Sequence, residues 1–322
     1  MLVKWKNYRM LDDSEKTLVD KVSDGSIIRR FDKTPYPVHP RDVVCPHFLE
    51  LAWSWGCPYD CAWCYLKGTY RFFKDEKTGR ILPHVKDWGL IRRVCEAFVY
   101  EVREPEILNA GELCDSLMGE NIKPFPWSVF IQTIFHGSPH RILHLTKGDN
   151  VKNFLEHDWQ KNAILSWTVN EPEVSRTWEK LAPDPFRRLD AAKKVSDAGY
   201  EVRLRIDPIV PVLDFKQKYR QFIDEIFRRD LQPERITLGT LRGLLSTLAH
   251  VKNHSWESFL NKKSGMSGWG YKPSFEVRLE MYQDLLEHLK QYGVKVGICK
   301  DTLKLWKELG LRFEGMTCNC IG

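Results

Sequence analysis

Short apolar runs rich in Val, Ile and Leu alternate along the chain with longer amphipathic stretches. The strand-like runs are LELAWSW (49–55), PEILNA (105–110), RILHLT (141–146), AILSWTV (163–169), EVRLRI (201–206), ERITLGT (234–240) and VKVGI (294–298). Between them, PFPWSVFIQTIF (124–135), DPFRRLDAAKKVSDAG (184–199), DFKQKYRQFIDEIFRRD (214–230) and SFEVRLEMYQDLLEHLKQYG (274–293) carry the spacing of half-buried helices. Asp184 before Pro185, and Gly199 after the last turn, bracket the second of these with a start and a stop signal. Strand and helix in near-regular alternation predict parallel β/α units. About six units predict an α/β fold, an incomplete (β/α)6 barrel with N- and C-terminal extensions. The expected divisions are residues 1–44 as extension, 45–298 as barrel and 299–322 as a cysteine-containing tail. Active groups of such barrels gather where strands end. Those positions are Cys57, Gly111, Glu112, Thr146, Lys147, Asn170, Asp207 and Thr240.

Composition narrows the setting. The 322 residues, 43 % hydrophobic and 29 % charged, are ordinary for a globular chain. The start, MLVKWKNYRMLDD, has no apolar leader, and no run approaches the roughly 18 apolar residues of a membrane span. A cytoplasmic protein without a membrane partner is expected, so the nine cysteines point to metal or redox chemistry rather than disulfides. The formal charge of +6 is compatible with an anionic partner such as nucleic acid. Lys67, Arg71, Lys74, Lys77 and Arg80 cluster after the first cysteines, and Arg203 and Arg205 alternate on a predicted strand; solvated faces explain such clusters equally well.

The segment GCPYDCAWCY (56–65) holds Cys57, Cys61 and Cys64 as C-x3-C-x2-C. A [4Fe-4S] cluster is normally held by four thiolates, one per iron. Three leave one iron open to a small ligand, and S-adenosylmethionine can fill it through its amino and carboxylate groups. An electron passed to the sulfonium then releases a 5′-deoxyadenosyl radical. The competing reading is a zinc site completed by His47 or His84, although zinc sites typically pair C-x2-C modules and no second module is in register. The motif, followed by an aromatic and placed at the exit of the first strand, resembles the radical S-adenosylmethionine superfamily. In that superfamily an aromatic like Trp63 lies beside the adenine, and Tyr65 follows the motif directly.

From about residue 45 to 298 the chain further resembles the spore photoproduct lyase branch. The resemblance rests on CAWCYL, ELCDSL, LTKGDNVKNFL, SWTVN and RLDAAKKVSDAGYEVRLRIDPIVP, in that order. It implies that Glu112, Ser116, Lys147, Thr168 and Asn170 hold the methionyl or ribosyl part of the cosubstrate. The chemistry agrees for two of them: Lys147 offers an ammonium to the carboxylate, and Glu112 an acceptor to the amino group. It also implies that Cys114 donates a hydrogen atom to a substrate radical; a buried structural thiol is the plain alternative, and Cys95 reads as core. Two departures stand out. SGWGYKPSFEVR matches a basic, tyrosine-containing segment only loosely through Tyr271 and Lys272, and the chain ends MTCNCIG. Cys299, Cys318 and Cys320 then form a redox relay, a second metal site, or a flexible thiol-bearing tail.

The function that follows is a radical lyase or isomerase acting on a thymine-derived base in DNA. It would either reverse a thymine adduct or rearrange a substituent on the thymine 5-carbon of hypermodified DNA. The base must leave the stack to reach a barrel mouth. Trp53, Trp55, Trp269 and Tyr271 are candidate stacking residues, and loop 67–80 a candidate phosphate track. A reductant such as flavodoxin or ferredoxin is the implied electron partner. A radical enzyme for a peptide or small metabolite, and a non-catalytic iron–sulfur protein, remain the other readings.

Overall fold

The computed structural model describes residues 2–31, 33–263 and 265–322. Among the described residues, ten strands form one sheet, and a two-stranded hairpin lies beside it. β1 (Val3–Arg9), β2 (Glu15–Val22) and β3 (Ile28–Phe31) are antiparallel and lead into β4 (Phe48–Leu51). β5 (Ser54–Trp55) and β6 (His84–Val85) make the hairpin. From β4 the sheet runs parallel through β7 (Ile107–Asn109), β8 (Arg141–Thr146), β9 (Ala163–Val169), β10 (Glu201–Ile209), β11 (Arg235–Thr240) and β12 (Lys295–Ile298). The barrel does not close, as expected of an incomplete one. An isolated bridge, Val43 to Thr302, links the segment before β4 to the one after β12. The predicted run 49–55 is split between β4 and β5, because the chain turns between Leu51 and Ser54 to place the cysteine loop.

The helices cover the outer face: α1 (Trp88–Glu101), α2 (Trp127–Phe135), α3 (Pro172–Trp178), α4 (Pro185–Asp197), α5 (Phe215–Arg228) and α6 (Phe275–Lys290). α4 starts as its sequence predicts: the Asp184 carboxylate accepts from the Phe186 amide at 2.9 Å, and Pro185 occupies the first turn. Its exit is Gly199 at φ +86°, where a side chain would be strained. α2 begins three residues later than its apolar pattern, after Pro124 and Pro126.

Strand alternation sorts the two faces. Val202, Leu204 and Ile206 of β10 point outward and pack with Leu189 and Ala192 of α4 and Phe222 and Ile226 of α5 in one core. Each such fully buried aliphatic side chain contributes about 1.5–3 kcal/mol. Arg203, Arg205 and Asp207 occupy the alternate, inward positions of the same strand. The barrel interior is therefore polar, and the end of the chain fills part of it. Gly297 allows this on β12, since a Cβ there would come within 1.8 Å of the Thr317 carbonyl oxygen.

Candidate functional site

A cavity of about 220 Å³ opens at the C-terminal ends of the parallel strands. Cys57, Cys61, Cys64, Trp63, Tyr65, Glu112, Cys114, Lys147 and Thr168 all line it. Ser116 and Asn170 do not.

The cysteine loop is held by its backbone. Gly56 sits at φ +84°, and a Cβ there would lie 2.2 Å from the Leu82 carbonyl oxygen. The Cys57 amide donates to Ile81 O at 3.1 Å and the Ala62 amide to Trp178 O at 2.7 Å. Lys67 pairs with Asp60 at 2.9 Å across the loop. All three thiols are free, and burial pushes each upward, Cys61 to about 12. Metal loading of such a site must therefore displace protons. Among the described residues no three His, Cys, Asp or Glu side chains are gathered as a single metal ion requires. His47, expected as a possible zinc ligand, gives Nδ1–H to Phe31 O at 3.2 Å, and His84 stacks on Trp55 at 4.9 Å. Neither reaches the cavity.

Lys147 enters from the exit of β8. Its amide donates to Asp115 Oδ2 at 2.6 Å, and Thr146 Oγ1 donates to Asp115 Oδ1 at 2.7 Å. The Lys147 ammonium lies 3.2 Å from Glu179 Oε1, and Arg188 donates to Glu179 Oε2 at 2.7 Å; Arg188 and Glu179 are fully buried. Burial alone would lower the Lys147 pKa; the Glu179 carboxylate outweighs it and holds the amine charged. Arg188 also donates to the Thr168 carbonyl at 3.0 Å, which fixes the end of β9 and with it the Thr168 side chain. Trp63 packs on Trp178 with centroids 5.7 Å apart, and the Tyr65 hydroxyl donates to the Glu112 carbonyl oxygen. Cys114 is buried, with Sγ donating to Ala110 O at 3.4 Å. Ser116 lies behind the cavity; its amide is bonded to Leu145 O at 3.1 Å, and its hydroxyl finds no partner among the described residues. Asn170 donates to Pro208 O at 2.8 Å and accepts from the Tyr219 hydroxyl and the Glu171 amide at 2.9 Å each, so its polar atoms are committed to the fold.

The cavity also carries groups that sequence reasoning did not collect: Arg242, Lys300, Tyr59 and Asp115. Asp207 accepts from both Arg205 and Arg242, which hold its carboxyl well below the usual range against the effect of burial. Lys300 lies 3.5 Å from Glu112 Oε1 and 4.0 Å above the Trp269 ring. Glu112 thus already has a cationic partner. Arg242 and Lys300 each stand two residues beyond the last residue of a strand, β11 and β12. Applying the strand-exit rule to those two strands locates them. Of the stacking candidates, only Trp269 lines the cavity; Trp53 is fully buried against Trp127 at 4.0 Å, and Trp55 packs on Tyr70 and His84. Loop 67–80 turns much of its charge inward: Lys67 to Asp60, Lys74 to His250 O at 2.8 Å, and Arg80 to Pro58 O. Arg203 lies away from this cavity. Among the described residues no helix is long and apolar enough to cross a membrane.

Comparison with known proteins agrees with this architecture. The family model "Spore photoproduct lyase" matches residues 49–239, more than half of the chain. A curated spore photoproduct lyase of Geobacillus sp. (strain Y412MC61) is 25 % identical over 175 residues, 54 % of this chain and 49 % of that protein. The chain therefore spans about half the length of the curated relative it matches. The solved structure of spore photoproduct lyase complexed with dinucleoside spore photoproduct superimposes with a TM-score of 0.63 at 18 % identity, covering 78 % of this chain and 76 % of that one. A double-mutant form with bound S-adenosylmethionine and the same dinucleoside gives 0.62 at 17 % identity, covering 81 % and 80 %. At these identities the likeness is one of fold.

Proposed function

This chain belongs to the spore photoproduct lyase family, and we propose that it is a radical S-adenosylmethionine enzyme acting on a thymine-derived base in DNA. One observation carries the reading: the three motif thiols, the Cys114 thiol and a cationic, aromatic wall all face one cavity. The donor set fits the cofactors. Three thiols and the Lys147 ammonium share the lining, and the Lys147–Glu179 contact, close as it is, leaves Glu179 Oε1 without an aligned hydrogen bond. Cys57, Cys61 and Cys64 would hold a [4Fe-4S] cluster, which with S-adenosylmethionine and an electron from a flavodoxin- or ferredoxin-type donor would supply a 5′-deoxyadenosyl radical.

The chain's own residues do the rest. Lys147 keeps N–H groups for a carboxylate while Glu179 holds it charged. Trp63 and Tyr65, on the cysteine loop, bound the side where an adenosine would lie, and Thr168 presents a hydroxyl from the end of β9. Cys114 stands across the cavity as the hydrogen-atom donor to a carbon radical of the substrate. Its thiol stays protonated because burial raises its pKa well above the ordinary value, which suits a group that must keep its hydrogen until it is taken. Arg205, Arg242, Lys300 and Trp269 form the substrate wall, with cations for base carbonyl or phosphate oxygens and a ring face for an unstacked base. Reversal of a thymine adduct and rearrangement of a 5-substituted thymine both fit this wall.

The test is turnover by the anaerobically reconstituted protein with dithionite. Release of 5′-deoxyadenosine is expected, followed by conversion of an oligonucleotide carrying either a thymine adduct or a 5-substituted thymine. Cys114→Ala should still cleave the cosubstrate but shift the product distribution. Absence of 5′-deoxyadenosine sinks the enzyme reading; turnover of peptides or small metabolites but not of DNA sinks the substrate.

A further inference from the structure

Six cysteines lie outside the cluster motif, and four of them, Cys45, Cys299, Cys318 and Cys320, line one cavity of about 30 Å³ inside the barrel. They arrive from three places: the segment before β4, the exit of β12, and the end of the chain. Glu112, Arg205 and Lys300 line both this chamber and the larger cavity, so the two share a wall. Arg205 donates to Cys299 Sγ at 3.4 Å.

The end of the chain is clamped in a way that presents two of these thiols together. Arg203 donates to the carbonyls of Asn319 and Ile321 at 2.7 Å each, and Arg235 to that of Cys318 at 2.9 Å. Ser166 on β9 donates to Asn319 Oδ1 at 2.7 Å. With the Asn319 side chain held there, its two neighbours, Cys318 and Cys320, both line the chamber. Asn109 on β7 donates to Cys320 Sγ at 3.6 Å.

We propose that Cys318 and Cys320 form a redox-active dithiol, converted to an intrachain disulfide by low-molecular-weight disulfides. Its basis is independent of the reaction proposed above. Cys320 is the attacking sulfur. Asn109 donates to its Sγ, and the neighbouring Cys318, with Arg205 and Lys300, holds its thiol below the ordinary range, while Cys320 and burial push Cys318 up. The Cys320 thiolate attacks one sulfur of the small disulfide, whose S–S bond breaks and releases one thiolate. Cys318 then loses its proton and attacks Cys320 Sγ; the Cys318–Cys320 bond forms and the second small thiolate leaves. Two electrons pass to the reagent, and the two protons of the dithiol end on its thiols. Cys320 itself is half-buried rather than buried, and Cys45, Pro46 and Met316 also border a cavity of about 190 Å³ whose far rim is the exposed Arg9, Asp12 and Lys16, so only a wall of side chains separates the chamber from an open cavity.

The test equilibrates the anaerobically reconstituted full chain with graded ratios of oxidised to reduced dithiothreitol, quenches in acid, alkylates and digests with trypsin. Cleavage after Arg312 isolates both tail cysteines in one peptide with no other thiol. The expected result is a single transition from a doubly alkylated peptide to one lighter than the free dithiol by two hydrogens, with Cys45 and Cys299 alkylated throughout. Cys320→Ser should abolish the light peptide. The proposal is overturned if both tail cysteines stay alkylatable across the range, or if they pair with Cys45 or Cys299. It is equally overturned if the Cys57→Ala/Cys61→Ala/Cys64→Ala protein retains stoichiometric zinc or iron that Cys318→Ser/Cys320→Ser removes.

Discussion

Asp207→Asn changes almost no volume yet removes the single carboxylate that both Arg205 and Arg242 touch on the cavity wall. Asp207 is 8 % exposed, and Gly239 makes room for it: a Cβ there would lie 2.7 Å from its carboxyl carbon. The asparagine keeps one acceptor and loses the charge, so two half-buried guanidinium groups are left to repel each other beside a buried neutral side chain. Breaking a buried ion pair from one side costs about 3–5 kcal/mol, and that is the loss expected in urea denaturation followed by far-ultraviolet circular dichroism. The pH profile gives the sign. Because the folded carboxyl is held below its unfolded value of 3.8, its contribution is fully present above that pH and fades as pH falls toward the folded value. The gap between wild type and variant should therefore stay flat from about pH 8 to about pH 4 and narrow only below it. A gap smaller than about 1 kcal/mol, as for an exposed pair, or one that narrows on raising the pH toward neutrality, would refute the account.

Gly111→Ala should lower stability by about 1–3 kcal/mol, because the new Cβ would lie 2.4 Å from the Leu145 carbonyl oxygen, and a thermal melt reads the loss. Lys272 is buried and its ammonium pulled down to about 7, chiefly by desolvation. Above about 7 it is mostly neutral in the folded protein while the unfolded chain protonates below 10.5, so its contribution improves stability as pH rises from about 7 to about 10.5. Lys272→Met should lose that slope when denaturation is compared at about pH 7 and about pH 9. Asn170→Ala should cost about 1–3 kcal/mol by orphaning Pro208 O and the Tyr219 hydroxyl, yet leave the affinity for S-adenosylmethionine unchanged by calorimetry. A lost affinity with intact stability would restore the cosubstrate role that the family resemblance implies for it.

What was legible in the chain divides along the two faces of its strands. Outward positions such as Val202, Leu204 and Ile206 meet helices whose own period is visible, so the parallel barrel and its helices emerge from pattern alone. The cysteine loop is legible for a different reason: its spacing states a chemical need. Alternation fails where a strand ends. Thr168 is on β9 and reaches the cavity; Asn170 follows Val169, the last residue of that strand, and turns instead to Pro208 near the end of β10. A two-residue step carries a side chain to the same face only while the strand lasts. Tryptophan is ambiguous for a related reason, since one ring can serve as core or platform. Only the partner, Trp127, reveals Trp53 as core.

The end of the chain was the least legible part, and the reason is energetic. FEGMTCNCIG has no period, no cap and few large apolar groups, so nothing local orders it. It is ordered by groups far away in sequence: Arg203 and Arg235 present guanidinium donors inside a barrel whose outer positions are taken by aliphatic packing. Arg203 reads as part of a solvated face from sequence, because alternation places it on one side of its strand without showing what it meets. A buried guanidinium with unsatisfied donors is costly. The carbonyls of Cys318, Asn319 and Ile321 accept those donors, alongside Glu201 for Arg203 and Glu234 for Arg235. The same bonds that satisfy the arginines position the terminal thiols. Truncating the chain after Thr317 therefore exposes both guanidinium groups to an emptied interior, and it should lower stability by more than the loss of the few apolar contacts made by the tail.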